Sequence, residues 1–156
     1  SGPKPSAEAV YREALALRSE LNVARLTVHT RDFSMSVLSG HYADRAEKER
    51  DGLLVGAAVE AARAATGRFL PPEQILRLLG DRAVPLSPRG VRQHQALAEA
   101  LRDEDPAAAV SLSERGFAKL DGLSLVYAPS RWVERTVSTV GLGDAISSAS
   151  FAMNLL

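Results

Sequence analysis

Residues 138–151 read STVGLGDAISSASF, and this stretch decides which fold and which chemistry the chain is predicted to have. Two glycines and a carboxylate, Gly141, Gly143 and Asp144, stand directly before a run of small and apolar residues. Because glycine lacks a Cβ, both glycines can adopt positive φ and let the neighbouring amide N–H groups converge on one point. The stretch therefore predicts a binding site for an anion such as phosphate.

A helix that follows the glycines would strengthen this site. If it begins at Asp144 or Ala145, its free amides and the positive end of its dipole favour a bound anion. The helix end would also keep Asp144 ionised, so that it could accept a proton from a hydroxyl that attacks phosphorus. The same letters have a purely structural interpretation, since Asp is a common N-cap after a glycine turn. In that case no nucleotide would bind.

Upstream, short β-rich segments alternate with helical ones. The predicted strands are RLTVHT at 25–30, FSMSVLSG at 33–40 and the hairpin FAKLDGLSLVYAP at 117–129, which turns at Asp121-Gly122. The predicted helices start at the N-cap Ser6, run from about 44 to 66, follow Pro71 and Pro72 up to Gly80, and cover 91–103. RWVERTV at 131–137 fits a strand or an extended loop. The alternation predicts α/β layers, with ligands beyond the carboxyl ends of strands.

Composition narrows the class of protein. The 156 residues are 46% hydrophobic and 24% charged, which is typical of one globular domain with a buried core. Nineteen basic and nineteen acidic residues cancel, so no overall field would attract nucleic acid or an anionic membrane. Because the chain has no cysteine and no long apolar stretch, we expect a soluble, cytoplasmic protein without disulfides or thiolate metal sites.

The residues around the glycines resemble a known family. RWVERTVSTVGLGDAISSASF, residues 131–151, is similar to the carboxyl-terminal signature of the ADP-dependent sugar kinases, the glucokinase and phosphofructokinase family with a ribokinase-like fold. In that family a strand and loop lead into S-T-V-G-[IL]-G-D-[TA]-I-S-S, and the similarity continues through Ile146, Ser147 and Ser148. ARLTVHTRDF at 24–33 resembles the family's strand that ends in His-Thr.

The resemblance implies that residues 1–156 are one carboxyl-terminal segment of the kinase large domain. This segment would be the nucleotide-side part of a ribokinase-like, three-layer α/β/α sandwich, without the sugar-binding half and the lid. The implied reaction is phosphoryl transfer from ADP to glucose or fructose 6-phosphate, with Mg²⁺ as the cofactor. ADP or AMP and the sugar would be ligands, and the missing amino-terminal half or a second copy would be the protein partner. Alone, the segment would be inactive.

The resemblance also assigns residues. Asp144 would be the catalytic base, close to the magnesium. The other implied contacts surround the nucleotide: Gly141, Leu142, Gly143, Val133, His29 and Thr30. The three turn residues would form the anion hole with their amides, Val133 would line the adenine pocket, and His29 with Thr30 would border the nucleotide.

Each of these assignments has a structural alternative. Val133 is equally suited to a strand facing the core, and a lone histidine such as His29 is more often a structural residue than a ligand contact. Arg131 and Arg135 are close enough to the signature to reach phosphate, although such residues are usually solvated. Trp132 could stack on adenine or simply pack. The alternative function is a non-enzymatic nucleotide-binding or interaction module with a structural glycine turn.

Overall fold

Four antiparallel strands form the centre of the described part of the chain, which comprises residues 4–80, 84–137, 139 and 141–155 of a computed structural model. The strands are β1 (Arg25–His29), β2 (Phe33–Ser39), β3 (Phe117–Leu120) and β4 (Leu123–Pro129). Their spatial order is β1-β2-β4-β3. The helices are α1 (Ala7–Leu21), α2 (Ala46–Thr66), α3 (Pro72–Gly80), α4 (Pro88–Leu101), α5 (Pro106–Arg115) and α6 (Leu142–Leu155), with a 3₁₀ helix (Gly40–Arg45) before α2.

Alternating side chains of the central strands build two cores. On one face, Phe33, Met35 and Tyr127 pack against α1, α4 and α5. On the other, Leu38 and Val126 pack against α2. Because helices cover both faces, β2 is buried along almost its whole length rather than on one side only. Helices, sheet and helices therefore form three layers, as the expected sandwich requires.

Helix α6 reaches the sheet through α2. A Cβ on Gly56 of α2 would lie only 3.1 Å from the Cα and carbonyl oxygen of Ile146, so the glycine lets the two helices approach closely. Farther along α2, Arg63 lies beside Gly141, and the Val137 amide donates to the Ala64 carbonyl at 2.7 Å. The two helices thus run in opposite directions, and the start of α6 lies over the last turns of α2.

A buried ion pair fastens this layer to the sheet. Glu49 of α2 is fully buried and accepts hydrogen bonds from Arg25 of β1, with the Nη2–Oε1 distance at 3.0 Å. Ser36 donates to the same carboxylate at 2.6 Å, and Arg25 donates to Ser150 of α6 at 2.7 Å. These bonds offset the cost of removing the charges from water and connect β1, β2, α2 and α6.

The structure confirms much of the predicted order. Ser6 caps α1 by accepting from the Ala9 amide, and the Asp121-Gly122 turn joins β3 to β4 with Gly122 at φ +66°. Four expectations need correction. Helix α6 begins at Leu142, before the expected start. Helix α4 begins at Pro88 because Ser87 caps it, and α5, capped by Asp105, was not predicted.

The fourth correction concerns the direction of the strands, whereas the connection before the glycine turn is a loop, one of the two forms expected for residues 131–137. Residues 132–137 form neither a strand nor a helix, and only Arg131 makes a single β-bridge, to Leu86. The sheet is antiparallel, so the rule for open parallel sheets does not apply as expected. However, β1 and β4 are both antiparallel to β2, and their carboxyl ends therefore lie at the same edge. Residues that follow these two ends form the site described next.

Candidate functional site

A cleft of about 550 Å³ opens at the carboxyl ends of β1 and β4, against helices α2 and α6. Its walls combine apolar side chains with a few polar groups, which is typical of small-molecule sites. The lining residues used below are His29, Thr30, Glu60, Trp132, Val133 and Gly143. We refer to this space as the first cleft.

The first cleft contains the two residues expected at the end of β1. His29 Nδ1 lies 2.9 Å from the Ser34 hydroxyl, and burial lowers the pKa of His29, so the ring is neutral at physiological pH. The Thr30 hydroxyl donates to the Phe33 carbonyl at 2.8 Å and accepts from the Phe33 amide at 3.0 Å. Thr30 therefore holds the turn between β1 and β2, which fixes this rim of the cleft.

The opposite wall presents a carboxylate that the sequence did not single out. Glu60 of α2 lines the first cleft and forms no hydrogen bond or ion pair with any described residue. Burial raises the pKa of its carboxyl from the ordinary 4.5 to about 7. Near neutral pH, Glu60 is therefore close to half protonated, and it can donate or accept a hydrogen bond.

The rim at 131–133 is partly fixed by cationic side chains. Arg31 lies over the Trp132 ring, with its guanidinium carbon 5.1 Å from the ring centroid. Arg131 donates to the Val84 carbonyl at 2.7 Å. Trp132 is 39% exposed, and Val133 is half-buried beside it. An aromatic ring and an aliphatic side chain thus border one end of the cleft, an arrangement suited to a flat, apolar ring system.

A second cavity of about 540 Å³ lies on the other side of the start of α6. Arg63, Phe69, Gly141 and Asp144 line it. Asp144 is exposed, so its carboxylate is accessible to a ligand rather than turned into the interior. We refer to this space as the second cavity.

The glycine turn lies between the two spaces. Gly141 has φ +70°, in the left-handed region that favours glycine, and its carbonyl accepts from the Ala145 amide at 3.2 Å. Gly143 does not have a positive φ, because it already belongs to α6. The first turn of an α-helix leaves its amide hydrogens without intrahelical acceptors, so the amides of Leu142 to Asp144 are positioned for an anion.

The structure divides the expected site residues between these spaces. His29, Thr30, Val133, Leu142 and Gly143 line the first cleft, whereas Gly141 and Asp144 line the second cavity. The signature residues Ser138 and Val140 lie outside the described residues.

Sequence reasoning missed Glu60 and Arg63, which α2 places at the start of α6. A signal was present, because both are charged residues within the small-residue run VGAAVEAARAAT at 55–66. A charged side chain among small and mostly buried helix residues needs either an ion-pair partner or a functional role.

The expected magnesium would lie close to Asp144. Among the described residues there is no group of three or more His, Cys, Asp or Glu side chains that could hold a metal ion. Mg²⁺ is commonly bound by one or two carboxylates together with substrate phosphates and water. Asp144, the residue expected to lie close to the magnesium, is an exposed carboxylate that could supply one such ligand.

Comparison with known proteins decides the family. Residues 1–153 match the family described as ADP-specific phosphofructokinase/glucokinase conserved region. The chain belongs to this family. The resemblance seen in residues 131–151 is thereby confirmed and extends over almost the whole chain.

Individual members of the ADP-specific phosphofructokinase/glucokinase family agree with this assignment. The ADP-dependent glucose/glucosamine kinase of Pyrococcus furiosus is 29% identical over 143 residues, which are 92% of this chain and 28% of that enzyme. The ADP-specific phosphofructokinase of Thermococcus litoralis is 32% identical over 91% of this chain and 27% of its own length. The chain therefore spans less than a third of the length of these relatives.

Solved structures support the same fold. The last common ancestor of ADP-dependent phosphofructokinases from Methanosarcinales matches with a TM-score of 0.83 and 31% identity, over 94% of this chain and 29% of that one. An ADP-dependent kinase in complex with fructose 6-phosphate and ADPβS matches equally well, over 94% and 31%. A Pyrococcus horikoshii phosphofructokinase with AMP gives 0.69 at 28% identity, over 95% and 29%. The three layers are consistent with a fragment of this fold.

Within the described ranges, no helix has both the length and the apolar character that crossing a membrane requires.

Proposed function

We propose that this chain forms the nucleotide side of an ADP-dependent sugar kinase and supplies its catalytic base. The observation that supports this most directly is the position of the glycine turn, which separates a nucleotide-sized cleft from a cavity with an exposed carboxylate. The adenosine part of ADP would occupy the first cleft. Its phosphates would approach the amides of Leu142 and Gly143, and the sugar hydroxyl would approach from the second cavity.

In this arrangement Asp144 acts as the general base. The oxygen of a sugar hydroxyl forms a bond to the β-phosphorus of ADP, while the bond from that phosphorus to the bridging oxygen breaks. AMP leaves with the bonding electrons, and Asp144 takes the hydroxyl proton. The amides at the start of α6 would stabilise the charge that develops on the transferred group. Mg²⁺, carried by the nucleotide, would neutralise phosphate charge with Asp144 as one of its ligands.

The base has the environment that its role needs. Asp144 belongs to the first turn of α6, next to the free amides that are proposed to bind phosphate. It is exposed at the edge of a cavity, and none of the described cations forms an ion pair with it. An unpaired carboxylate next to an anion site is unfavourable for phosphate binding alone, which supports a role in proton transfer.

The remainder of the enzyme would choose the sugar. The relatives include both glucose kinases and phosphofructokinases at similar identity. We propose glucose or fructose 6-phosphate as the acceptor, and we expect it to be bound by a part of the enzyme outside the less than one third that this chain spans. The isolated chain should therefore bind nucleotide without turnover.

The first test measures nucleotide binding by the chain itself. Titration of the isotope-labelled chain with ADP and Mg²⁺, followed by NMR, should shift the amide signals of Gly141, Gly143 and the residues around His29. Shifts confined to these regions support the assignment of the first cleft. A spectrum that ADP leaves unchanged at millimolar concentration would contradict the proposal and favour a structural glycine turn.

The second test measures the base. This chain replaces the matching segment of the Thermococcus litoralis phosphofructokinase, and the hybrid is assayed with and without Asp144→Asn. Loss of a general base should lower kcat about a thousandfold, while ADP affinity stays nearly constant. Asp121→Asn in the β3–β4 turn is the matched control and should have no effect, because Asn is equally suited to this turn. Equal rates with and without Asp144 would favour the non-enzymatic module.

A further inference from the structure

Arg63 has an unusual position beside the glycine turn. Its guanidinium carbon lies 4.4 Å from the centroid of the Phe69 ring. On its other side is Gly141, where an added Cβ would lie 3.2 Å from Nη2 and 3.5 Å from Cζ of the arginine. The guanidinium is therefore held between an aromatic ring and the backbone of the turn.

This cation has no anionic partner in the part of the chain that the structure describes. Within the described ranges, Arg63 forms neither an ion pair nor a hydrogen bond, and its Nε is buried without an acceptor. Asp144 lines the same cavity, but among the described residues no ion pair joins it to Arg63. A buried donor without an acceptor costs free energy, and such groups in native proteins call for an explanation. The other arginine of α2, Arg50, is by contrast paired with Asp51, with an Nη2–Oδ1 distance of 2.6 Å.

Gly141 gains a second role from this arrangement. Its positive φ already favours glycine, but the absence of a Cβ also leaves room for the guanidinium next to the turn. The turn amides and Arg63 therefore present positive charge to the same region, from two different elements. A planar guanidinium can donate two parallel hydrogen bonds to phosphate oxygens, which a helix end alone cannot do.

We propose that Arg63 is a further phosphate-binding residue, which contacts the transferred β-phosphoryl group of ADP from the side of the second cavity. This inference rests on the proposed function, because it requires ADP in the first cleft with its phosphates at the glycine turn. A phosphate oxygen would accept hydrogen bonds from the outer nitrogens Nη1 and Nη2, which lie beside Gly141, rather than from the buried Nε. Phe69 would hold the guanidinium in place before the ligand arrives.

A purely structural role for Arg63 makes a different prediction. The residue lies in the last turn of α2, where a cation stabilises the helix dipole, and it also covers Phe69. If these were its only functions, replacing Arg63 would change the stability of the fold. It would not change ligand affinity in a way that depends on the number of phosphates. The experiment therefore compares adenosine, AMP and ADP.

The test titrates the chain with each ligand and follows the amides of Gly141 and Gly143 by NMR. In the wild-type chain, affinity should increase from adenosine to AMP to ADP. In Arg63→Met, the affinity for ADP should fall at least tenfold, towards that for AMP, while the affinity for adenosine stays within twofold. Arg63→Lys should retain part of the ADP affinity, since it keeps the charge but loses the planar fork.

A matched control comes from another arginine with the same aromatic contact. The guanidinium carbon of Arg115 lies 4.3 Å from the centroid of the Phe117 ring, far from the glycine turn in the hairpin region. Arg115→Met should leave all three affinities unchanged. If Arg63→Met does not fold, the wild-type chain still gives an answer, because the Nε–H signal of Arg63 should shift with ADP and not with adenosine.

The outcomes separate the two proposals. If the wild-type chain binds neither adenosine nor ADP, the proposed function is wrong. If it binds both, but Arg63→Met keeps the full preference for ADP or loses adenosine and ADP affinity equally, only the role of Arg63 is wrong. An Arg63 Nε–H signal that ADP does not move would also overturn it.

Discussion

The two glycines of the turn should respond in opposite ways to the same substitution, Gly→Ala. Gly141 has φ +70° and the Arg63 guanidinium next to its Cα, whereas Gly143 is helical and an added Cβ would find no atom within 4 Å. One methyl group therefore enters a crowded, left-handed position in the first case and open space in the second. The structure predicts that stability falls in one variant and rises in the other.

The size of each change follows from the geometry. A left-handed conformation costs a residue with a Cβ about 1–2 kcal/mol. Displacing Arg63 from Phe69 costs about 0.5–1 kcal/mol more, and a less flexible unfolded chain returns about 0.4–1 kcal/mol. Gly141→Ala should thus lose about 1.5 kcal/mol, which lowers Tm by about 3–6 °C for a chain of this size. Gly143→Ala should gain about 0.5 kcal/mol and raise Tm by about 1–2 °C.

The ADP affinity of these two variants should not follow their stability. Gly143 lines the first cleft, so its added methyl group would occupy space beside the amides that are proposed to bind phosphate. Gly143→Ala should therefore be the more stable variant and yet bind ADP at least tenfold more weakly. Thermal unfolding followed by circular dichroism gives the first quantity, and an NMR titration with ADP gives the second. A Gly141→Ala variant as stable as the wild type would refute the reasoning on the turn, and unchanged ADP affinity in Gly143→Ala would refute the anion site.

Three further predictions concern stability. The folded-state pKa of Glu60, about 7, is above its ordinary 4.5, so the folded state holds this proton more tightly and the free energy of unfolding should fall as pH rises from 4.5 to 7. Glu60→Gln should remove this dependence of stability on pH. Above pH 7 the variant should be more stable than the wild type by about 1 kcal/mol, a modest gain because solvent in the open cleft screens the Glu60 charge. Urea unfolding at several pH values measures both effects, and an unchanged slope would contradict the burial of Glu60. Arg25→Met should cost about 3–5 kcal/mol because it removes the guanidinium that forms an ion pair with the fully buried Glu49 side chain. Adding Glu49→Leu should restore most of this loss in urea unfolding, and a double variant no more stable than Arg25→Met would disprove the ion-pair account. Asp105→Ala should cost about 1 kcal/mol by removing the α5 cap, whereas exposed Asp103→Ala should be neutral; equal Tm values for the two would refute the capping role.

Turns and helix ends could be predicted from the sequence because each depends on residues that are adjacent in the chain. The Asp121-Gly122 pair specifies the β3–β4 turn, and Ser6 specifies the start of α1. Helix α5 could have been predicted in the same way, since Asp105 and Pro106 are a cap and a first helical residue, and Gly116 ends the helix at φ +74°. Those signals were present and were not used.

The glycine signature by itself identified the family and predicted an anion site near Asp144, because amide geometry at a glycine turn depends on the local sequence. Only the tertiary structure could bring α2 against α6 and so place Glu60 in one cavity and Arg63 in the other. These residues are about 80 positions before the signature in the chain. Their approach depends on the close contact of Gly56 with Ile146 and on the buried Arg25–Glu49 pair. Contacts between elements distant in sequence are decided by packing, which local residue patterns do not specify.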